Sequence, residues 1–145
     1  MVRRLDRGEV FELYQMREIL EGTAARLAAE NATPAEVALM RDLHGAFEQA
    51  REPADHARIN KQFHDAISGA VRNRYFHGPL EGLQDALALL GPTTFSVAGR
   101  AHPAVAEHRL ILDAIAAHDP DAAEAAARDH IRRALATRLK MLSQG

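Results

Sequence analysis

Asn60 and His64 stand four residues apart, so on a helix an amide oxygen and an imidazole share one face and approach a single point. His108 and His130 flank an Asp119-Pro120-Asp121 turn, each 11 residues from Asp119. In an antiparallel helical pair closed by that turn, both rings stand at one height, about 16 Å from it at 1.5 Å per residue. His108 follows the phase of Val105, Ile111, Leu112 and Ile115, and His130 adjoins Ala127, Ile131 and Ala134, so both rings are expected to point inward.

Buried imidazoles need partners, and one shared metal ion satisfies several of them together. Three ring nitrogens and one amide oxygen suit Zn²⁺, Ni²⁺, Co²⁺, Fe²⁺ or Mn²⁺, whereas Ca²⁺ and Mg²⁺ prefer mostly oxygen. Positions left to water on such a metal would admit an organic acid and make a binding pocket. Spacing alone leaves two further readings open. One is a structural bundle whose histidines satisfy one another through water and backbone. The other is a small metal-dependent hydrolase that activates water at a three-histidine site. Hydrolysis also needs a general base, and Asp65, Asp113 and Asp129 adjoin the ligands in sequence but point about 100° away around the helix.

The elements that would carry these residues follow from apolar spacing. Leu13, Met16, Ile19, Leu20, Ala24, Leu27 and Ala28 predict a helix over about 9–31. Thr33-Pro34-Ala35-Glu36 is a capping box opening a second helix, about 34–51. Ile59, Phe63, Ile67 and Val71 mark a third, about 54–72, with Asn73 as its stop. Leu80, Leu83, Leu87 and Leu90 mark a fourth within 74–91, restarted or kinked at Gly78-Pro79. The aperiodic stretch 93–101 reads as a loop. Pro103 suits the first turn of a fifth helix, and a last one runs from Ala123 to Leu142. The expected fold is all-α: an antiparallel bundle of about six helices with a central metal and effector pocket.

Composition supports this. The 145 residues are 47% hydrophobic, enough for one domain with a core, and only two Tyr and five Phe accompany abundant Ala and Leu. A net charge of −2 supplies no basic field for phosphates, so direct DNA binding by this chain is not expected. The absence of cysteine and of any long apolar run agrees with a cytoplasmic location away from membranes. His44, His56, His77, His102 and His118 fall near helix ends, loops or polar faces, where exposure is the expectation.

Three blocks, Asn-Lys-Gln-Phe-His-Asp-Ala-Ile (60–67), Glu-His-Arg-Leu-Ile-Leu-Asp-Ala-Ile (107–115) and Asp-His-Ile (129–131), resemble those of FCD domains in the FadR-type branch of the GntR family of bacterial transcription regulators. Residues 13–21 and 24–29 are similar to that family's first helix. The resemblance implies an FCD-like effector-binding and dimerisation domain at 10–143. Residues 1–9 would be a linker remnant, with the winged helix-turn-helix that contacts DNA absent from this chain. It implies a divalent metal held by Asn60, His64, His108 and His130, with Asn60 where relatives commonly have Asp. It also implies a small carboxylate or sugar-acid effector and a homodimer. Arg17 matches a first-helix arginine whose planar fork suits a carboxylate; the competing reading is an ion pair with Glu21. Asn73 sits where the family often has Asn, and is otherwise a helix cap. The family's arginine after the fourth helix is not evident, which leaves Thr93 and Thr94 as polar candidates.

Overall fold

The computed structural model describes residues 5–144, and among them the chain is helical with no strand. Met1–Arg4, the start of the expected linker, lie outside the described residues. Helix α1 spans Arg7–Asn31, α2 Pro34–Gln49, α3 Pro53–Gly69, α4 His77–Leu87, α5 Ala101–Ala116 and α6 Pro120–Gln144. Short 3₁₀ turns occupy Ala88–Leu90 and Thr94–Ser96. Helix α1 begins within the stretch expected as linker, at Arg7, under a capping box made by Asp6 and Glu9. The Thr33 and Glu36 box opens α2 as the sequence indicates. Asp119 accepts the amide of Ala122 and caps α6.

The two longest helices, α1 and α6, lie along one another, and α5 packs on α6 and on α2. The main core joins Ala24, Ala25, Ala28 and Ala29 of α1 to Phe63, Ile67, Ile111 and Ile115. A second cluster centres on Val10, Tyr14 and Ile131, and a third on Phe47, Ile59 and Phe95. The stripes expected for α3 and α5 are largely buried, with Ile59, Phe63, Ile67, Val71, Ile111, Leu112 and Ile115 all in the core. The third helix ends earlier than 72, at Gly69, and Arg72 takes a left-handed φ of 62°.

The stripe expected for α1 holds at Ala24 and Ala28, which are buried, and at Leu13 and Leu27, which pack against the core, but fails at two positions of the first half. Met16 and Ile19 are exposed at 45% and 41%, while Tyr14, Gly22, Ala25 and Ala29 are buried. The inward face of its first half carries Arg17 and Glu21, largely shielded from solvent, so apolar periodicity points to a neighbouring face. The second half approaches α6 through small residues. A Cβ on Gly22 would stand 2.8 Å from Arg128 Cγ and 3.3 Å from its Cδ. Across the same seam Glu18 pairs with Arg128 and Arg132, and Arg26 with Glu124 and Asp121.

Gly22→Val is therefore expected to destabilise the protein by about 1–3 kcal/mol through overpacking. Gly45→Ala in α2, where a Cβ meets nothing within 4 Å, should stabilise by up to about 1 kcal/mol through helix propensity. Thermal unfolding of the two variants checks both signs.

Candidate metal centre

The bundle brings His64 from α3, His108 from α5 and His130 from α6 to one point, where one ring nitrogen of each lies within 4.8 Å of the others. Ring centroids are 4.7 Å apart for His108 and His130, as the symmetric hairpin requires, and 5.4 Å for His64 and His130. His108 is 0% exposed and His130 3%.

Hydrogen bonding leaves a defined set of atoms unsatisfied. Asn60 Oδ1, His64 Nε2, both nitrogens of His108 and, on the neighbouring guanidinium, Arg100 Nε are buried without a partner. His130 instead donates from Nδ1 to Glu107 Oε1 at 2.7 Å, which directs its Nε2 lone pair elsewhere. Glu107 is itself gripped by Arg100 through two bonds of 2.7 and 2.6 Å. A parallel chain serves His64: its Nδ1 faces Glu21 Oε1 at 3.3 Å, and Glu21 accepts from Arg17 Nε at 2.7 Å. In each chain an arginine fixes a carboxylate and the carboxylate fixes an imidazole, the arrangement by which metal-binding histidines are oriented and made more basic. His108 has no such chain. Phe47 and Phe63 hold it, with ring centroids at 4.8 and 4.9 Å. Orphaned donors of nitrogen and amide-oxygen type, buried and convergent, fit a divalent transition metal.

Burial pushes the His108 and His130 pKa values well below 6.5, and neighbouring imidazoles add to the effect. Burial lowers His64 too, with Glu21 opposing in part. All three rings are thus favoured in the neutral form that a metal requires.

A cavity of about 180 Å³ opens beside this cluster, lined by Tyr14, Arg17, Asn60, Thr94, His130 and Arg138 among others. Arg17 and Thr94 of the expected effector contacts therefore reach it. Arg17 also makes the ion pair with Glu21, inside the bundle and not on its surface. Asn73 is not brought there: it is exposed, caps no helix, and accepts the amide of Tyr75 on its side chain. Arg100, at the start of α5, and Arg138, from α6, also line the cavity. Arg138 was detectable in principle, since His130, Ala134 and Arg138 repeat at four and share a face. Two histidines expected to be exposed are buried. His44 donates to Val105 O at 3.0 Å, and His56 packs on Phe47. Asp65 and Asp129, weighed as general bases, pair outward with Lys61 and Arg133, and Asp113 is exposed.

These features define a class of protein, a helical bundle whose centre is a cluster of buried polar side chains beside a cavity and not a continuous apolar core. The chain belongs to the FCD domain family, whose model matches residues 12–133. It is 31% identical over 133 residues to the HTH-type transcriptional repressor NanR of Citrobacter rodentium strain ICC168, covering 90% of this chain and 51% of that protein. The repressors of the same name from Escherichia coli K12 and Shigella flexneri are each 30% identical with the same coverage. The chain thus spans about half the length of the curated relatives it matches.

Glu107→Gln, which keeps the side chain's shape but weakens its hold on His130, is expected to reduce Zn²⁺ affinity by about 10–100-fold. Competition with a chromophoric chelator measures this, and an unchanged affinity would show that the Arg100, Glu107 and His130 chain does not tune the site. In the metal-free protein the depressed imidazole pKa values set the pH dependence. The unfolded chain takes up protons near 6.5 while the folded one resists them, so stability is full above that value and falls as the solution is acidified below it. The Tm of chelator-treated protein should drop by several degrees between about pH 7.5 and 5.5; a flat profile would contradict neutral burial of the rings.

Proposed function

We propose that this chain is the effector-sensing domain of a GntR-family transcription regulator, holding a divalent metal, Zn²⁺ or Ni²⁺ in the first instance, on His64, His108, His130 and Asn60. A small organic acid occupies the adjoining cavity. The observation that carries this reading is the convergence of three histidines, with unsatisfied buried atoms on His64, His108 and Asn60, beside a cavity lined by Asn60, His130 and three arginines. The metal supplies a Lewis-acidic point for an oxygen ligand, while Arg17 and Thr94 offer hydrogen bonds to the same small molecule.

Signalling follows from which elements own the site. Helix α1 contributes Tyr14 and Arg17, and α6 contributes His130 and Arg138, so occupancy bears directly on the packing of the two longest helices. A ligand shifts such packing only by binding one arrangement more tightly than another. A homodimer would pass that change to DNA-reading domains carried on the same polypeptide, in the cytoplasm, which is how similarity to HTH-type repressors supports the assignment. No described helix is long and apolar enough to cross a membrane.

Elemental analysis of protein purified without a histidine tag is expected to find about one divalent transition metal per chain, lost in both His64→Ala and His108→Ala. Small carboxylates should then raise the Tm of the metal-loaded protein and leave these variants unmoved. Metal retained in both variants would overturn the coordination.

A further inference from the structure

Among the arginines lining the cavity, Arg138 differs in its counter-charge. Arg17 shares Glu21 and Arg100 shares Glu107, each at hydrogen-bond distance, so both cations are neutralised within the protein. Arg138 is 8% exposed, yet its partners are all neutral. Its Nη1 donates to Pro92 O at 2.8 Å and lies 3.7 Å from Met141 Sδ, and its Nε reaches the Tyr14 hydroxyl at 3.4 Å. Among the described residues no carboxylate pairs with it. A guanidinium does not deprotonate to escape burial, and a buried charge is costly until an opposite one meets it.

We propose that Arg138 is a second anion subsite and that the effector is a small dicarboxylate, one carboxylate at the histidine cluster and the other on Arg138. The inference rests on the sensor reading and adds to it the number and placement of the ligand's charges. Arg138 lies eight residues, about 12 Å of helix, beyond His130. Both side chains nonetheless line the one cavity, so a single small molecule can meet the two. The volume of about 180 Å³ falls below the roughly 300–1,000 Å³ of drug-sized pockets, which favours a short ligand. Four to six carbons between and including the carboxylates would match the two ends.

The test compares acids of equal carbon number on the Zn²⁺-loaded chain by calorimetry: succinate against butyrate, and glutarate against valerate. In the wild type the better dicarboxylate is expected to bind at least about tenfold more tightly than its monocarboxylate, a worth ordinary for a charge-assisted pair. Arg138→Gln should erase that advantage while leaving monocarboxylate affinity within about twofold, and Arg138→Lys should retain part of it. Equal binding of both acids by the wild type overturns the second subsite and leaves the sensor reading standing. An advantage that survives Arg138→Gln overturns the assignment to Arg138. Failure of every acid to bind overturns the dicarboxylate proposal, while the sensor reading falls separately, on the metal content of the chain and its His64→Ala and His108→Ala variants. Because the wild-type comparison stands by itself, a variant that fails to fold does not remove the test.

Discussion

A ring nitrogen sealed from water without a hydrogen-bond partner is a costly object, and the centre of this bundle holds both nitrogens of His108 in that condition. Much of the surrounding architecture follows from the need to keep such groups together and pointed one way. Glu107 accepts from His130 and from Arg100 at once, and Glu21 bridges Arg17 and His64. Each carboxylate is a buried charge that would be unfavourable alone and is compensated by the guanidinium behind it. The result is rigid: arginine, carboxylate and imidazole each remove a degree of freedom from the next, and the rings are held in place by the protein alone.

A polar centre displaces apolar contacts that a bundle would otherwise make there, so the apolar core divides into three clusters around it. The alanine-rich half of α1 and the glycine at position 22 let the helices approach closely where the polar site is not. Surface ion pairs along the α1 and α6 seam, such as Glu18 with Arg132, contribute little each in water. Their value is positional, because they resist sliding of the helices that carry Arg17 and His130.

The three histidines were legible because helical spacing and hairpin symmetry are arithmetic properties of a sequence: four residues from Asn60 to His64, and equal distances from Asp119 to His108 and His130. The first half of α1 was legible only in part, because apolar periodicity assumes that the buried face is the greasy one, whereas Arg17 and Glu21 face inward and Met16 and Ile19 outward. Ala24 and Ala28 of the second half are buried as expected. Glu107 stood next to His108 in the quoted motif yet its role stayed hidden, since it serves His130 on another helix. His44 and His56 illustrate the same gap. Their burial depends on Phe47, Phe95 and the Val105 carbonyl, which only tertiary packing places beside them. Asn73 shows the converse, a residue matched by resemblance that the fold puts on an exposed turn.

The hairpin between His108 and His130 also constrains how such a gene can change. A residue inserted in α5 or α6 between the turn and either histidine would rotate that ring by about 100° and lift it by about 1.5 Å relative to the other. The same insertion within the loop at His118 and Asp119, where the chain already passes through a left-handed φ of 55°, moves neither ring relative to its own helix. Length variation in descendants of this chain is therefore expected to collect at that loop, while the two helical arms beside it evolve by substitution alone.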